Sequence, residues 1–246
     1  MKHVVLGISG ASGAPYAKRL CEVLTGEGLV TRVQVSLVLS RTAEEVWAHE
    51  VGGSPRDLGL PVYGGRDYGA PFASGSSAAD AMAVVPASMS SLARMAHGIS
   101  DDLLTRTADV MLKERKPLIV TPREAPYSVV HLQNMLAITQ AGAVVIPASP
   151  SFYGRPETLT EAMDTVLSRV LDHLGLPNTL SRRWGPDVEL SNREQDLSRN
   201  AEERSDDPAG RGDPRGFAGR GEGSRDPSPG RALRDVKQAR SEPWDV

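Results

Sequence analysis

Cysteine is nearly absent from this chain of 246 residues, which contains only Cys21. A single cysteine excludes an internal disulfide and is typical of proteins that work in a reducing compartment. Cys21 lies in an apolar stretch with helical spacing. This position favours a thiol packed in a core over a reactive one.

Long apolar runs are also lacking. No stretch approaches the roughly 20 apolar residues that a membrane-spanning helix needs. The first residues contain one lysine and one short apolar run ahead of a glycine loop, which is not the pattern of a signal peptide. Together with the single cysteine, these absences predict a cytoplasmic protein without a membrane partner.

An excess of charge of one sign is missing from most of the chain. Residues 186–246 hold 11 of the 28 Lys and Arg residues and 14 of the 31 Asp and Glu residues, which leaves 17 of each sign for residues 1–185. A domain with equal numbers of positive and negative charges gives no electrostatic reason to bind nucleic acid. Residues 186–246 are rich in Gly, Pro and Ser, so we predict one domain over residues 1–185 and a disordered tail over 186–246.

Several catalytic signatures are absent as well. The five histidines lack HExxH or paired-ligand spacing, so no metal site is predicted, and there is no G-x-S-x-G nucleophile elbow. Asp101 and Asp102 are followed by Leu-Leu-Thr, so the carboxylate cluster that binds magnesium diphosphate in prenyl-chain enzymes is missing. The two aspartates fit the start of a helix instead.

What the chain does contain is an alternation of strand and helix patterns. Apolar runs predict strands at residues 3–8, 33–39, 82–85, 118–121 and 143–146. Helical spacing predicts helices at residues 14–26, 42–49, 90–97, 101–114, 128–140 and 158–174, with 50–80 mostly loop. The alternation predicts an α/β fold: a three-layer, Rossmann-like (flavodoxin-like) parallel sheet with helices on both faces. Ligands of such sheets bind beyond the carboxyl ends of the strands.

The first such turn is the glycine loop Gly7-Ile8-Ser9-Gly10-Ala11-Ser12-Gly13. Backbone amides at the start of the following helix suit a phosphate. The glycine spacing of three and three differs from the dinucleotide fingerprint, and Ser40-Arg41, not an acidic residue, ends the second strand. The pattern favours a mononucleotide over NAD, with a ligand-free turn as the alternative.

Two further strand ends carry polar residues. Ser88-Met89-Ser90-Ser91 follows the third strand, where its hydroxyls would line a phosphate or an isoalloxazine edge, or merely cap a helix. Pro122-Arg123-Glu124-Ala125-Pro126 follows the fourth, and its prolines stiffen a turn that presents a cation beside a carboxylate. Arg106 and Lys113 lie two helical turns apart and are expected to share a face.

These motifs, taken in order, resemble the UbiX/Pad-type flavin prenyltransferases of the homo-oligomeric FMN-binding flavoprotein family. The resemblance runs from about Val4 to Gly185, and Gln133 stands where many members carry glutamate. The family-like blocks are Gly10-Ala11-Ser12-Gly13-Ala14, Ser40-Arg41, residues 71–76, residues 108–115, Pro122-Arg123-Glu124-Ala125-Pro126, residues 131–135, residues 147–153 and Arg183-Trp184-Gly185.

The resemblance implies that a dimethylallyl group moves from dimethylallyl monophosphate to N5 and C6 of reduced FMN without a metal. The product is prenylated FMN, the cofactor of UbiD-type decarboxylases. By position, the residues that would bind FMN are Gly10, Ala11, Ser12, Ser40, Ser88, Met89, Ser90, Ser91 and Arg123. Those that would bind the prenyl phosphate are Arg106, Lys113, Tyr153 and Arg169.

The resemblance also assigns catalytic roles, to Ser12, Glu50, Lys113, Glu124 and Trp184. Lys113 and Arg169 would stabilise the leaving phosphate, and the Trp184 ring would stabilise an allylic cation. Glu124, Ser12 or the departed phosphate would remove the C6 proton, and Glu50 would lie near the site. A homo-oligomer, a dodecamer in the family, is expected.

Two other functions remain open from the sequence. The same fold serves FMN-dependent decarboxylases, and an FMN-binding subunit without activity of its own is conceivable in a decarboxylase complex. A second phosphate cradle, formed by Lys113 and Arg169, favours prenyl transfer because a decarboxylase has no need of it.

Overall fold

The structure is a computed structural model that describes residues 1–26, 33–77, 79–183 and 185. The predicted tail and Trp184 therefore lie outside the described residues. Among those described, no helix is both long enough and apolar enough to cross a bilayer, and no group of three or more His, Cys, Asp or Glu side chains is arranged to hold a metal ion.

The described residues form one parallel sheet of six strands in the order β3-β2-β1-β4-β5-β6. The strands are β1 Lys2–Ile8, β2 Val33–Leu39, β3 Val62–Tyr63, β4 Ala81–Ala87, β5 Leu118–Pro122 and β6 Val144–Val145. The five predicted strands and the flavodoxin-like α/β class are confirmed. Strand β3 was not predicted, because its two residues lie in a segment rich in Gly and Pro.

The six predicted helices are also present, with ends within two residues of those predicted. They are α1 Ala14–Thr25, α2 Ala43–Glu50, α3 Met89–Ala96, α4 Leu103–Lys113, α5 Val129–Gln140 and α6 Leu159–His173. Asp102 caps α4 by accepting a hydrogen bond from the Thr105 amide at 2.8 Å, so its prediction as a helix start is confirmed.

The two faces of the sheet carry different helices. Along β1, Val4, Leu6 and Ile8 point to a core that contains α1, α2 and α6, whereas Val5 points to a core that contains α3, α4 and Ile138 of α5. This period of two, with both faces buried, explains the unbroken apolar runs of the sequence. Helices α4 and α6 therefore lie on opposite faces of the sheet.

Cys21 belongs to the first of these cores. Its side chain is buried, and this burial raises the pKa of the thiol to about 12. A thiol that stays protonated at neutral pH is a poor nucleophile. The prediction of a packed core thiol is confirmed.

Helix α5 is the least covered of the helices. Its side chains Val129, Val130, Leu132 and Leu136 are each more than half exposed, although all four are apolar. Only Asn134 and Ile138 of this helix are buried. The protomer therefore leaves a row of large apolar side chains in contact with water.

Candidate active site

A cavity of about 640 Å³ opens beyond the carboxyl ends of β1, β2 and β4. It brings together five residues predicted to bind FMN and adds several that were not predicted. The lining residues are Gly10, Ser40, Arg41, Thr42, Gly65, Arg66, Ser88, Ser90, Ser91, Arg94, Asp101 and Asp102. Its place in the fold is where ligands of open parallel sheets bind.

Gly10 allows the glycine loop to lie directly against the start of α2. A Cβ atom at this position would overlap the Thr42 hydroxyl and would lie 2.9 Å from the Thr42 Cβ. Ala11, the next residue of the loop, is buried. The loop is therefore packed too closely for any larger side chain at Gly10.

Ser9 ties this loop to the next strand end. Its hydroxyl donates to the Pro86 carbonyl at 2.7 Å and accepts from the Ser88 amide at 2.7 Å. The sequence placed Ser9 in the loop but gave it no role in the site. Its buried pair of hydrogen bonds fixes the distance between the glycine loop and the serines after β4.

The serines after β4 form the predicted helix cap and also lie in the cavity wall, while their contact with a ligand stays a prediction. The Ser88 hydroxyl caps α3 by accepting from the Ser91 amide at 3.2 Å. Ser88, Ser90 and Ser91 also line the cavity. Met89 is buried in the core formed with α3 and α4, so any contact of Met89 with a ligand remains a prediction.

Ser40 provides the clearest sign of a ligand. Its hydroxyl is buried and has no hydrogen-bond partner among the described residues, yet the residue lines the cavity. A buried hydroxyl without a partner costs free energy, so a polar ligand atom is expected beside it. The hydroxyls, the arginines and the close backbone approach at Gly10 fit a flavin mononucleotide.

Ser12, Glu50 and Arg123, all three predicted for the site, come together at the start of α1. A Glu50 carboxylate oxygen accepts from the amides of Gly13 and Ala14, each at 2.8 Å. Arg123 donates from Nε to the Ser12 carbonyl at 2.9 Å. The helix-start amides that were expected to receive a phosphate therefore hold a carboxylate of the chain itself, because α2 ends beside them.

The surroundings of Glu50 keep it ionised. Burial alone would raise its pKa, but hydrogen bonds from the Ser12 hydroxyl and the two amides, together with the charge of Arg123, outweigh this and lower the pKa. The carboxylate consequently accepts hydrogen bonds at neutral pH and orients the Ser12 hydroxyl. Glu124 is half-buried next to Arg123, where one oxygen accepts from the Ala125 amide at 3.0 Å.

We predict that Glu50→Gln lowers the melting temperature at neutral pH by about 2–4 °C, the shift expected for a loss of about 1 kcal/mol at an exposed helix start. Since the folded pKa lies below the usual 4.5, the carboxylate stabilises fully above pH 4.5 and loses this effect as pH falls through the folded pKa. Thermal unfolding from pH 7 to pH 3 should show the difference shrinking in acid. Glu45→Gln, on the same helix, is the control, and a difference independent of pH would contradict the prediction.

A second cavity, of about 610 Å³, lies against α6. It contains Tyr153 and Arg169, both predicted to bind the prenyl phosphate, and also Arg155, Arg182 and Arg183, which were not predicted. Arg169 pairs with Asp172 at 2.9 Å, and Arg183 makes a bidentate pair with the same carboxylate at 2.5 and 2.7 Å.

Asp172 therefore holds two of these arginines, Arg169 and Arg183, in place. The pKa of Asp172 is lowered, chiefly by its hydrogen bonds from Arg183. Burial of the carboxylate acts in the opposite direction, and the charge of Arg169 lowers the pKa further. A cavity lined by several guanidinium groups is suited to a phosphate.

Arg106 and Lys113 share a face of α4, as predicted. Arg106 donates to the Ala73 carbonyl at 3.1 Å, and Lys113 pairs with Glu114 at 2.6 Å beside Gly75. Because α4 and α6 pack on opposite faces of the sheet, one protomer does not bring Lys113 to Arg169. The described residues among those predicted thus fall into four groups within a single chain: the first cavity, the start of α1, the second cavity and the exposed face of α4.

Comparison with known proteins agrees with the resemblance drawn from the motifs. The Flavoprotein family model matches residues 1–171. The flavin prenyltransferase UbiX of Methanocaldococcus jannaschii is 41% identical over 185 residues, which cover 74% of this chain and 98% of that protein.

Two crystal structures share the fold at similar identity. AnUbiX (PadA1), in complex with FMN and dimethylallyl pyrophosphate, has a TM-score of 0.69 and is 39% identical, covering 75% of this chain and 97% of its own. The dodecameric FMN-dependent UbiX-like decarboxylase from Escherichia coli O157:H7 has a TM-score of 0.70 and is 38% identical, covering 74% of this chain and 99% of its own. The chain therefore belongs to the flavoprotein family and, within it, to the UbiX-type flavin prenyltransferases.

Proposed function

We propose that this protein transfers a dimethylallyl group from dimethylallyl monophosphate to reduced FMN and so makes prenylated FMN. The observation that carries the proposal is the presence of two polar cavities, a hydroxyl-lined one at Ser40 and an arginine-lined one at Arg169. One suits a nucleotide and the other a small phosphate ester. The related AnUbiX structure, solved with FMN and a dimethylallyl diphosphate together, supports this pairing of ligands.

FMN is assigned to the cavity beyond β1, β2 and β4. Its volume of about 640 Å³ lies in the range of small-molecule sites. Ser40, Ser90 and Ser91 offer hydroxyls to the nucleotide, while Gly10 lets the backbone approach closely. When bound and reduced, FMN supplies the nitrogen and carbon atoms to which the prenyl group is joined.

The prenyl phosphate is assigned to Tyr153, Arg169 and Lys113. As the allylic C–O bond breaks, negative charge grows on the phosphate, and the guanidinium and ammonium groups stabilise it. Arg106 shares the Lys113 face of α4 and adds positive charge nearby. Because these cations supply the stabilisation, we expect activity without added metal. Trp184 stays our candidate for stabilising the allylic cation.

Proton removal is assigned to the group around Ser12. Glu50, with its lowered pKa, orients the Ser12 hydroxyl and is a weak base, so we assign it a positioning role. Glu124, Ser12 and the departed phosphate remain the candidates for taking the proton from C6. Arg123, bonded to the Ser12 carbonyl, holds this loop against the turn that carries Glu124.

A complete site requires a second copy of the chain. Lys113 and Arg169 lie on opposite faces of one protomer, so a cavity that contains both must be shared between protomers. The apolar residues exposed on α5 support a homo-oligomer, since a surface of this kind is normally covered by a partner. The dodecamer of the Escherichia coli relative suggests the number.

The product is expected to serve a UbiD-type decarboxylase, and the protein to work in the cytoplasm. Prenylated FMN is useful to the cell only when another enzyme takes it up as its cofactor. We therefore infer that a decarboxylase of that type is the recipient of the product.

An FMN-dependent decarboxylase is the second candidate. It is favoured by the Escherichia coli relative, which is described as an FMN-dependent UbiX-like decarboxylase. An FMN-binding subunit without catalytic activity is the third. Both would use the hydroxyl-lined cavity, but neither explains an arginine-lined cavity for a second phosphate.

The decisive experiment combines the purified protein with reduced FMN and dimethylallyl monophosphate, without added metal. We expect mass spectrometry to detect FMN heavier by one dimethylallyl unit. Bound but unmodified FMN would contradict the proposal. Release of CO₂ from a carboxylated substrate under the same conditions would favour the decarboxylase instead.

A further inference from the structure

Arg94, on α3, is held in the wall of the FMN cavity by two carboxylates. Its Nη1 atom contacts Asp101 at 2.7 Å and Asp102 at 2.8 Å. Asp102 is itself fixed because it caps α4 through the Thr105 amide. These pairs orient the guanidinium so that its Nη2 atom faces the Ser91 hydroxyl at 3.4 Å, a long hydrogen bond.

With this contact, the Ser91 hydroxyl oxygen accepts two hydrogen bonds. The donors are the Ser88 hydroxyl, at 3.0 Å, and Arg94. A hydroxyl has two acceptor lone pairs and one hydrogen, so the Ser91 hydrogen is what remains. Because Ser91 lines the cavity, this hydrogen is available to donate to a ligand.

Counting hydrogen-bond donors and acceptors in the same way makes Ser90 an acceptor toward the cavity. Ser88 gives its hydrogen to Ser91, so the 3.2 Å contact between Ser88 and Ser90 must use the hydrogen of Ser90. The Ser90 oxygen is then left with lone pairs alone. Ser90 and Ser91 line one cavity as an acceptor beside a donor.

We propose that Arg94 is a positioning residue: by filling the second lone pair of Ser91 it restricts that hydroxyl to donating toward the pyrimidine edge of FMN, beside Ser90 as an acceptor. That edge carries an N–H group at N3 between two carbonyl oxygens, so it offers one partner to each serine. A phosphate offers acceptors alone, so it would match Ser91 but would give the Ser90 oxygen no donor. The inference rests on the proposed binding of FMN in this cavity.

FMN titration of the metal-free apoprotein, followed by flavin fluorescence, tests the coupling. We expect Arg94→Met and Ser91→Ala each to weaken FMN binding by about 10-fold, the effect of losing one hydrogen bond. The double variant should bind no more weakly than the weaker single variant, because both changes remove the same interaction. Additive losses, or wild-type affinity in Arg94→Met, would overturn the inference.

Two matched variants separate geometry from charge and from folding. Arg94→Lys keeps the charge beside Asp101 and Asp102 but lacks the second nitrogen, so FMN affinity should stay reduced. Full recovery in Arg94→Lys would mean that charge alone matters and would overturn the positioning role. Arg56→Met removes an exposed pair with Glu44 and should bind FMN like the wild type.

The acceptor role of Ser90 is tested with FMN methylated at N3, which lacks the N–H group. The wild type should bind this analogue about 10-fold more weakly than FMN, and Ser90→Ala should bind the two equally. Equal binding of both ligands by the wild type would overturn the assignment of the edge. Failure of the wild type to bind FMN would overturn the proposed function as well, whereas binding without prenylation would leave this inference standing.

Discussion

Lys113→Ala and Arg169→Ala should each reduce prenyl transfer by at least about 100-fold, the usual cost of removing a group that stabilises a developing anion. A homo-oligomer that contains both variants should regain activity. In such a mixture, one protomer supplies the intact lysine and another the intact arginine. Neither variant alone can form a complete site, because every protomer then lacks one of the two residues. The mixture can, because the two residues lie on opposite faces of one chain and meet only between protomers.

The measurement uses the two variants with different tags, expressed together and purified through both tags. Random pairing should leave about one quarter of the shared sites intact, and the rate per site should rise accordingly. Lys18→Ala, an exposed lysine on α1, is the control for the loss of a positive charge. An absence of recovery in verified mixed oligomers would contradict a site shared between protomers.

Gly10→Ala should weaken FMN binding by more than about 10-fold and lower the free energy of unfolding by about 1–3 kcal/mol, the cost of overpacking. The added Cβ would overlap the Thr42 hydroxyl, so either the glycine loop or the start of α2 must move. Both elements line the cavity. FMN titration and thermal unfolding would measure the two effects.

A second change tests the cause of this effect. Thr42→Ala removes the hydroxyl in conflict, so the double variant should recover part of the lost stability, though the Thr42 Cβ still lies 2.9 Å away. Gly69→Ala is the matched control, since its Cβ would meet nothing within 4 Å in the described part of the chain. Wild-type FMN affinity in Gly10→Ala would show that the loop yields without affecting the cavity.

Local sequence patterns were sufficient for five of the six strands described and for part of the site. Strands β1, β4 and β5 were predictable because they are buried on both faces and therefore continuous in apolar residues. The serines after β4 and the glycine loop were predictable because carboxyl strand ends of a parallel sheet lie at one edge. These inferences need only neighbouring residues and the direction of the strands.

Contacts between distant segments were not predictable in this way. Glu50 reaches the Gly13 amide across 37 positions, from the end of one helix to the start of another. Arg94 enters the cavity wall because Asp101 and Asp102 turn its guanidinium, and the motifs contain no sign of this. Helix α6 follows the last described strand, so the crossover rule does not fix which face of the sheet it covers. The separation of Arg169 from Lys113 could therefore not be predicted.

The buried thiol of Cys21 makes the molecule convenient for site-specific labelling. Since the sequence contains no other cysteine, thiol-directed dyes should leave the native protein almost unmodified at neutral pH. A cysteine introduced at exposed Leu132 would then carry a fluorophore at one defined position on α5. Its emission would report directly whether that helix becomes shielded from water as protomers associate.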